Sequence, residues 1–296
     1  MNVKPLVSLV MCTRNRAASL PQCLQALGRL RADIQFELVL VDNGSSDGTA
    51  KILGEFANQQ KMRVVLVSEP RAGVSRARNA GINAASGDLI AFTDDDCYPA
   101  EDFIEAITQC FQDASVGFVG GRVLLFDPAD LPITIQPLNQ AVALPAGTYM
   151  QPGLIHGANF AFRREVLDRI GGFDPQLGAG TLLMGAEDAD ILQRALSAGF
   201  CGLYSPAPLV LHHHRRQIAE DEQRILRAYS ISRGAYFLKG LMCRETRHLY
   251  YWPVFRRFSG HIVYCRLMTL LHECKGAISY WRLRRRAQLG HEQSTV

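Results

Sequence analysis

The sequence lacks the features that define several large classes of protein. Its 296 residues include no apolar run that approaches the roughly 18 uncharged residues of a membrane span, and the first apolar run, which follows Pro5, begins too early for a signal peptide. The phosphate-binding patterns GxxxxGK[ST] and GxGxxG follow none of the strand-like segments. We therefore expect a cytoplasmic protein, either free or peripheral at the cytoplasmic face of the membrane.

The eight cysteines show no pairing pattern. There is no CxxC sequence, and no cysteine lies at a spacing from histidine that is typical of a zinc site. Several cysteines fall inside apolar runs, where buried free thiols are common. This usage indicates a reducing compartment.

Charge is divided unevenly along a chain whose composition, 48% hydrophobic and 20% charged, is that of an ordinary globular protein. The formal net charge is only +4. Residues 215–296 carry 16 Lys and Arg against 6 Asp and Glu, whereas the rest of the chain carries 16 against 22. Two parts with different partners are indicated, and we predict a domain over residues 1–215 and a basic, aromatic-rich helical region over residues 216–296.

Strand-like and helix-like segments alternate four times in the first part of the chain. The predicted strands are residues 6–12, 36–41, 63–67 and 89–93. The first helix is predicted after Ser19, which has capping-box spacing to Gln22. This alternation predicts an α/β fold with a doubly wound, mostly parallel sheet and a helical appendage at the C-terminus. Ligands of such sheets bind outside the carboxyl ends of the strands.

The alternation breaks after the fifth apolar segment. Residues 127–153 contain five prolines and little periodicity, which predicts a long loop or insertion over the site. Beyond it, we predict strands over residues 156–162 and 208–211. A helix that opens with Glu187 is predicted between these two strands.

Three consecutive carboxylates, Asp94, Asp95 and Asp96, follow the fourth predicted strand. They repel each other, so they cost stability unless a cation or hydrogen-bond donors compensate them. Mg²⁺ and Mn²⁺ take oxygen ligands, and because alternate residues of a strand share a face, Asp94 and Asp96 are predicted to address one ligand together. The alternative is a solvated turn that caps the next helix. That alternative is weakened because Thr13 and Asp42 also stand where strands end.

Six short motifs follow one another along the chain: Ser8-Leu9-Val10-Met11-Cys12-Thr13-Arg14-Asn15-Arg16, Leu40-Val41-Asp42-Asn43-Gly44-Ser45-Ser46-Asp47-Gly48-Thr49, Ala77-Arg78-Asn79-Ala80-Gly81, Phe92-Thr93-Asp94-Asp95-Asp96, Gly157-Ala158-Asn159 and Glu187-Asp188. Each is weak alone, but in this order and spacing they resemble the family 2 glycosyltransferases over residues 5–215. The resemblance implies a GT-A-like fold, a nucleotide-diphosphate-sugar donor and a divalent cation, Mn²⁺ or Mg²⁺. Cys97 stands where relatives often have a fourth acid.

The resemblance also implies the residues that bind the donor. In the family, the acid after the second strand holds the base, and the carboxylate triplet holds the metal and the ribose. For Asp42 the alternative is an Asx turn without a ligand. For Arg78 a phosphate contact, a contact with the carboxylates and a helix-surface ion pair remain open. The predicted nucleotide-sugar-binding residues are Thr13, Asn15, Arg16, Asp42, Arg78, Asp94 and Asp95.

The metal ligands and the catalytic acid pair are implied in the same way. Asp96 is the predicted metal ligand, and because relatives can use a later histidine, His212 is preferred to its two neighbours as a second ligand. Asp188 is the predicted general base, with Glu187 second. The alternative for this pair is a helix N-terminus at which acids interact with the helix dipole.

The resemblance therefore implies an inverting glycosyltransferase that transfers a sugar to a hydroxyl acceptor, which we expect to be a glycan or a lipid-linked glycan. One alternative is a sugar nucleotidyltransferase, which normally has Gly and Lys in the loop after the first strand. Thr13-Arg14-Asn15-Arg16 contains neither. Another alternative is a non-catalytic scaffold that binds sugar nucleotides. Donor hydrolysis or transfer by the purified protein separates these possibilities.

The basic C-terminal region interleaves aromatic residues with arginines, as in Phe255-Arg256-Arg257-Phe258. Helices with this composition favour contact with an anionic membrane surface. Packing of the helices on the rest of the protein explains the composition equally well. Nucleic-acid-binding proteins also combine basic and aromatic residues in this way. Nothing else in the sequence supports nucleic acid binding, so we expect no nucleic acid partner.

Overall fold

A computed structural model describes residues 7–263 and 266–293. The predicted strand start at residue 6, the N-terminal residues before it and Cys265 lie outside the described residues. The strands are β1 (Val7–Thr13), β2 (Phe36–Asp42), β3 (Arg63–Ser68), β4 (Leu89–Asp94), β5 (Cys97–Pro99), β6 (Val116–Leu125), β7 (Val142–Leu144), β8 (Phe160–Arg163) and β9 (Cys201–His212). The helices are α1 (Leu20–Leu27), α2 (Thr49–Gln59), α3 (Val74–Ala84), α4 (Phe103–Cys110), α5 (Arg164–Ile170), α6 (Glu187–Ser197), α7 (Ala219–Met242), α8 (Arg247–Val263) and α9 (Leu267–Gln293).

All described strands belong to one sheet, in the order β3-β2-β1-β4-β8-β6-β9-β5, with β7 paired to β9. The first four strands are parallel, and helical connections join them. β8 pairs antiparallel to β4 and β6, whereas β6 and β9 are parallel. The predicted α/β fold with a mostly parallel, doubly wound sheet and a helical C-terminal region is therefore confirmed.

Helices cover both faces of the sheet, and this explains why β1 is apolar at almost every position. Leu9 and Met11 point into a core shared with α1, α2 and α4. Val10 points into the opposite core, which α3, α5 and α6 complete. Strands that are buried on both faces read as continuous apolar runs rather than alternating ones. The strand ends near Thr13, Asp42 and Asp94 lie beyond these apolar runs, so polar side chains can gather there.

Three local predictions differ from the structure. The strand predicted over residues 156–162 begins only at Phe160, because Asn159 turns back to donate from its backbone N–H to the His156 carbonyl. The long loop over residues 127–153 contains the short strand β7. α1 begins after Ser19 as predicted, but the Ser19 side chain makes no capping bond. Its hydroxyl lies 3.5 Å from the Arg16 carbonyl instead.

The last strand is much longer than the predicted residues 208–211. β9 starts at Cys201 and pairs with β6 on either side of an irregularity between Gly120 and Arg122. Pro206 and Pro208 fall in that part of β9, and a proline cannot donate to a ladder hydrogen bond. The prolines therefore mark an interruption inside one strand and not its beginning.

The C-terminal helices pack on the sheet domain and on one another. α7 and α9 can approach closely because Gly234 and Gly276 have no Cβ. A Cβ on Gly234 would collide with the Glu273 carbonyl, and a Cβ on Gly276 would collide with the Ile231 carbonyl. The Tyr236 hydroxyl on α7 donates to the Met150 carbonyl at 2.9 Å. Within the described ranges, no helix combines the length and the apolar character that crossing a membrane requires.

Candidate active site

A cavity of about 570 Å³ opens where β1 and β4 end. Its wall includes Thr13 and Arg16 after β1 and the three consecutive carboxylates after β4. The first two residues of α6 lie on the same wall, as do residues of the proline-rich loop and one face of α7. The cavity thus has the place that the sheet topology predicts for a ligand.

The three carboxylates do not continue the strand. β4 ends at Asp94, and Asp95 and Asp96 form a tight turn into β5. The strand geometry that predicted a shared face for Asp94 and Asp96 therefore does not apply to them. Instead, each has its own partner: Asp94 Oδ1 lies 3.0 Å from an Arg78 nitrogen, and Asp96 Oδ1 lies 3.3 Å from His212 Nε2.

Arg78 on α3 connects two acidic groups across the cavity. Its guanidinium lies 3.0 Å from Asp94 and 3.0 Å from Glu187 and donates to the Gly157 carbonyl at 3.2 Å. The side chain is only 3% exposed, and aromatic rings of Phe160 and Phe173 flank it. The helix-surface ion pair that the sequence left open is thereby excluded. Burial acts to lower the pKa of Arg78, but Asp94 and Glu187 outweigh it and raise the pKa, so the guanidinium stays charged.

The turn carboxylates are buried in unequal surroundings. Burial raises the pKa of Asp95 to about 6, although Arg16 at 3.3 Å acts in the opposite direction. Burial also acts to raise the pKa of Asp96, but His212 outweighs it and the pKa is lowered. In the same way, Asp96 outweighs burial and raises the pKa of His212. Negative charge thus concentrates beside an imidazole, which is a donor set suited to a divalent cation.

The three consecutive histidines have different surroundings. His212 faces Asp96, and its Nδ1 lies 3.2 Å from the Thr134 hydroxyl. The His213 ring contacts Tyr98, whose hydroxyl lies 3.0 Å from its Nδ1. His214 accepts the Arg216 N–H at Nδ1 and lies 3.0 Å from the Leu131 carbonyl at Nε2. Of these three histidines, His212 is the one that lines the cavity.

In the part of the chain that the structure describes, one group of side chains could hold a metal ion. Asp96, Cys97 and His212 each offer one ligand atom, and these atoms lie within 4.8 Å of one another. Asp96 and His212 are the two ligands that the sequence predicted. Cys97 was not predicted, since its place after the carboxylates gave no sign of its pairing with β9.

The acid pair opens α6 at the cavity wall. Asp188 accepts the N–H of Ala189 at 2.7 Å and that of Gly157 at 3.3 Å, while Glu187 is held by Arg78. Burial and the neighbouring Asp188 raise the pKa of Glu187, and Arg78 counters them. The preceding Ala186 has φ of 68°, a left-handed conformation that is uncommon without glycine. Strain of this kind clusters at functional sites.

Two predicted binding residues lie outside the cavity wall. Asp42 accepts the Ser45 N–H at 3.1 Å, so its side chain stabilises a local turn, although the bond goes to the third following residue and not to the second as in the Asx turn named as its alternative. Asn15 accepts the Ser46 N–H at 2.8 Å and itself has φ of 52°. Asn43, next to Asp42, lines the cavity, and its side chain joins the Glu69 and Arg71 carbonyls to the Gly73 N–H.

The sequence missed several cavity residues. His156 lies on the wall before β8, and burial lowers the pKa of its imidazole although Asp188 opposes this. Arg216 follows β9, and α7 contributes a further set. The residues of α7 that line the cavity are Ile225, Ala228, Tyr229, Ser232, Arg233 and Tyr236. Their spacing of three and four residues is that of one helix face, a signal that was present in the sequence.

Comparisons with known proteins identify the family of the chain and the likeness of its fold. The profile of the family described as "Glycosyl transferase family 2" matches residues 8–171. The chain is 33% identical over 120 residues to "Glycosyltransferase AglE" of Haloferax volcanii, and the match covers 40% of each protein. It is 27% identical over 220 residues to "Pre-mycofactocin glycosyltransferase" of Mycobacterium tuberculosis, which covers 72% of this chain and 44% of the relative. The matches span less than half the length of these relatives.

A solved structure resembles almost the whole chain. The mannosyltransferase PcManGT from Pyrobaculum calidifontis, in complex with GDP-Man and Mn²⁺, superposes with a TM-score of 0.63. The match covers 99% of this chain and 81% of that one, at 18% sequence identity. At this identity the likeness concerns the fold.

Proposed function

This chain belongs to glycosyl transferase family 2, and from that premise we propose that it transfers a sugar from a nucleotide-diphosphate donor to a hydroxyl acceptor, with inversion at the anomeric carbon. The observation that carries the proposal is the pair of acidic groups on one cavity, Asp94–Asp96 and Glu187–Asp188, with Arg78 between them. Because the chain spans less than half of the first two relatives, the activity of the whole protein is part of the proposal.

The donor occupies the cavity beside the ends of β1 and β4. Thr13 and Arg16 contact the nucleotide sugar, and Arg16 and Arg216 supply positive charge for its diphosphate. Asn15 and Asp42 act at the outer edge, toward the base. Support for this class of donor comes from the structural relative, which was solved with GDP-Man.

A divalent cation, Mn²⁺ or Mg²⁺, completes the donor site. Asp96 and His212 would hold it, because they combine a buried carboxylate with an imidazole 3.3 Å away. Asp94 and Asp95 add negative charge nearby, and within the described residues Arg16 is the cation that contacts both Asp95 and Asp96. Such an ion supplies Lewis-acid stabilisation of the charge that develops on the leaving diphosphate.

Asp188 acts as the general base. The acceptor oxygen attacks the anomeric carbon, the bond from that carbon to the diphosphate oxygen breaks, and the hydroxyl proton passes to the Asp188 carboxylate. Asp188 is preferred to Glu187 because Arg78 lies 3.0 Å from Glu187 and occupies its oxygen Oε1. The backbone N–H groups of Gly157 and Ala189 hold the Asp188 carboxylate in place. One base is sufficient for a direct displacement with inversion.

The decisive experiment replaces Asp188 by Asn, which keeps the shape of the side chain and removes its basicity. A general base contributes about 10²–10⁴-fold, so turnover should fall by that factor while donor affinity, measured by calorimetry with Mn²⁺, stays nearly unchanged. If Asp188 only stabilises the start of α6, Asp188→Asn costs about 1 kcal/mol of stability and turnover remains near normal. That second result would refute the assignment.

Glu187→Gln is the matched control in the same turn of α6, and its loss of turnover should be the smaller of the two. Absence of transfer and of donor hydrolysis by the unmodified protein, across a panel of nucleotide sugars, would favour the non-catalytic scaffold. The donor panel can be screened by thermal shift with Mn²⁺, because a bound ligand stabilises the folded state by mass action.

The acceptor is a glycan or a lipid-linked glycan, and the protein meets it at an anionic membrane surface. The support is the excess of Lys and Arg in residues 215–296 together with aromatic side chains exposed on α8, such as Trp252 at 68% and Phe255 at 61%. Helices that combine basic and exposed aromatic residues bind at the membrane interface.

A further inference from the structure

The strand pairing places a thiol beside the two proposed cation ligands. Cys97 on β5 is directly opposite His212 on β9 in an antiparallel ladder. Directly opposed residues project their side chains on the same face of a sheet. Asp96 immediately precedes Cys97, and its carboxylate turns toward both neighbours. The juxtaposition is a consequence of register, and it brings together three different kinds of metal donor.

Two of the three donor–donor distances are close to those of a small four-coordinate site, and all three donor atoms lie within 4.8 Å of one another. His212 Nε2 and Asp96 Oδ1 are 3.3 Å apart, and Cys97 Sγ and Asp96 Oδ1 are 3.8 Å apart. Donors that surround zinc tetrahedrally at roughly 2.0–2.3 Å stand roughly 3.3–3.6 Å from one another. Cys97 is fully buried, and the side chains of His212 and Asp96 are only 8% and 12% exposed and border the cavity.

The hydrogen bonds of His212 direct its Nε2 toward the Asp96 carboxylate. Its Nδ1 lies 3.2 Å from the Thr134 hydroxyl and 3.4 Å from the Thr134 carbonyl. A carbonyl can only accept, so Nδ1 carries the hydrogen and Nε2 faces the Asp96 oxygen. A proton on Nε2 satisfies this contact in the metal-free protein, and a bound metal ion would take the place of that proton. A ring nitrogen held by an outer hydrogen bond is also the usual arrangement of metal-bound histidine.

We propose that Asp96, Cys97 and His212 form a carboxylate–thiolate–imidazole site that binds Zn²⁺ more tightly than Mn²⁺ or Mg²⁺. Thiolate selects borderline and soft cations, and nitrogen and oxygen sites also favour Zn²⁺ over Mn²⁺. On binding, the Cys97 thiol loses its proton to solvent and a Zn–S bond forms. Mg²⁺ and Mn²⁺ prefer oxygen donors and gain little from the sulfur.

The site gives the protein a response to zinc. Zn²⁺ that is bound to Asp96 and His212 competes with the cation of the proposed sugar transfer, so Zn²⁺ inhibits transfer and excess Mn²⁺ relieves the inhibition. This consequence for turnover rests on the proposed function. The binding of zinc itself does not, and it is measured separately.

The experiment compares metal affinities of the metal-free 296-residue chain and three variants by competition with a chromogenic chelator. Loss of a residue that only hydrogen-bonds to a metal ligand typically weakens metal binding about 10–100-fold. Cys97→Ser removes a ligand itself, so it should weaken Zn²⁺ binding by at least that factor and leave Mn²⁺ binding unchanged. Cys12→Ser, which alters another thiol on the cavity wall, should change neither affinity. Asp96→Ala should weaken both.

Cd²⁺ provides a second readout, since a thiolate–cadmium bond gives an ultraviolet charge-transfer band. The first equivalent of Cd²⁺ should produce the band in the unmodified protein and in Cys12→Ser. In Cys97→Ser, the first equivalent should produce no band. Unchanged Zn²⁺ affinity in Cys97→Ser, or an equal loss for Zn²⁺ and Mn²⁺, would overturn the proposal.

If Cys97→Ser fails to fold, the unmodified protein is compared with His212→Gln. The first equivalent of Cd²⁺ should produce the band in the unmodified protein and a weaker band in His212→Gln. The absence of the band from the unmodified protein overturns thiolate ligation. Failure of the proposed function would give a different result: zinc binds as described, but no sugar is transferred from the donor, and no donor is hydrolysed, in the presence of Mn²⁺.

Discussion

At the scale of single residues, Arg78 is the group on which the cavity depends most. Its guanidinium neutralises Asp94 on one side and Glu187 on the other, and these acids come from elements that are distant in sequence. A planar guanidinium offers several donors in a fixed arrangement, which a lysine ammonium cannot reproduce. Without it, Asp94 and Glu187 would lose the cation that contacts both of them.

Replacement of Arg78 by Met should therefore destabilise the protein strongly. Removing one partner of a buried ion pair costs about 3–5 kcal/mol, because the other charge stays buried and uncompensated. Urea denaturation in the presence of a chelator measures this loss. Addition of Glu187→Gln to Arg78→Met should recover part of the stability.

Arg71→Met is the matched control, since Arg71 pairs with Glu69 at 2.9 Å but is 70% exposed. Exposed pairs contribute about 0–1 kcal/mol. Equal losses for Arg78→Met and Arg71→Met would contradict the bridging role of Arg78.

The positions of the candidate residues at strand ends could be predicted from the sequence, but their partners could not. Apolar runs show where a buried strand ends, so Thr13 and Asp94 were expected at one edge of the sheet. The contact of Arg78 with Glu187 depends on how α3 and α6 pack, and no periodicity encodes that packing. Asp94 and Asp96 were assigned to one face because the turn after Asp94 has no distinct signal within a run of identical residues.

At the scale of secondary structure elements, α6 links the site to the C-terminal helices. Its first turn carries Glu187 and Asp188, and the Asp190 carboxylate that follows lies 2.7 Å from Lys239 Nζ on α7. The same Lys239 ammonium lies 2.7 Å from Asp174, in the segment before α6. Asp190 also pairs with Arg194 at 2.9 Å, one turn later. α7 is therefore attached to α6 at Asp190, within one turn of the acid pair Glu187 and Asp188.

Replacement of Lys239 by Met should loosen this attachment. Asp174 and Asp190 would remain largely buried, with side chains 16% and 5% exposed. We expect a loss of about 3 kcal/mol, at the lower end for a broken buried pair because Lys239 is itself one-fifth exposed. Thermal and urea unfolding measure the change.

Lys275→Met on α9 removes a lysine that is exposed and should be nearly neutral. A stability equal to that of the unmodified protein in Lys239→Met would mean that α7 is held by its apolar contacts alone.

The order of strands and helices up to β4 followed from periodicity, because each of these elements buries a continuous apolar run or face. Prediction was weaker beyond residue 126. β7 and β8 are short strands whose pairing is determined by tertiary contacts. β9 was predicted too short because Pro206 and Pro208 interrupt its apolar pattern. The cavity face of α7 was overlooked because its aromatic residues were taken together with those of the exposed helices, although Tyr236 is buried.

At the scale of the whole molecule, the basic region has two different surfaces. α7 closes the cavity with one face and packs against α9 with another. The large apolar side chains that remain exposed on α8 and α9 are Tyr251, Trp252, Phe255, Phe258, Leu267, Met268, Leu271, Ile278 and Trp281. Single exposed apolar residues are ordinary, but so many on two helices that also carry arginines are typical of a binding surface.

We expect this surface to bind vesicles that contain anionic lipid, through aromatic insertion and electrostatic attraction together. Each basic residue near such a surface contributes about 1 kcal/mol, so changing Arg284, Arg285 and Arg286 to Ser should weaken co-sedimentation and reduce its dependence on salt. Changing Trp252 and Phe255 to Ser should weaken binding at every salt concentration, because the loss is apolar. Leu66→Ser, which alters an exposed apolar residue on β3, is the control and should have no effect. Binding that is indifferent to salt and to both sets of changes would show that these helices serve only to pack on the sheet domain and close its cavity.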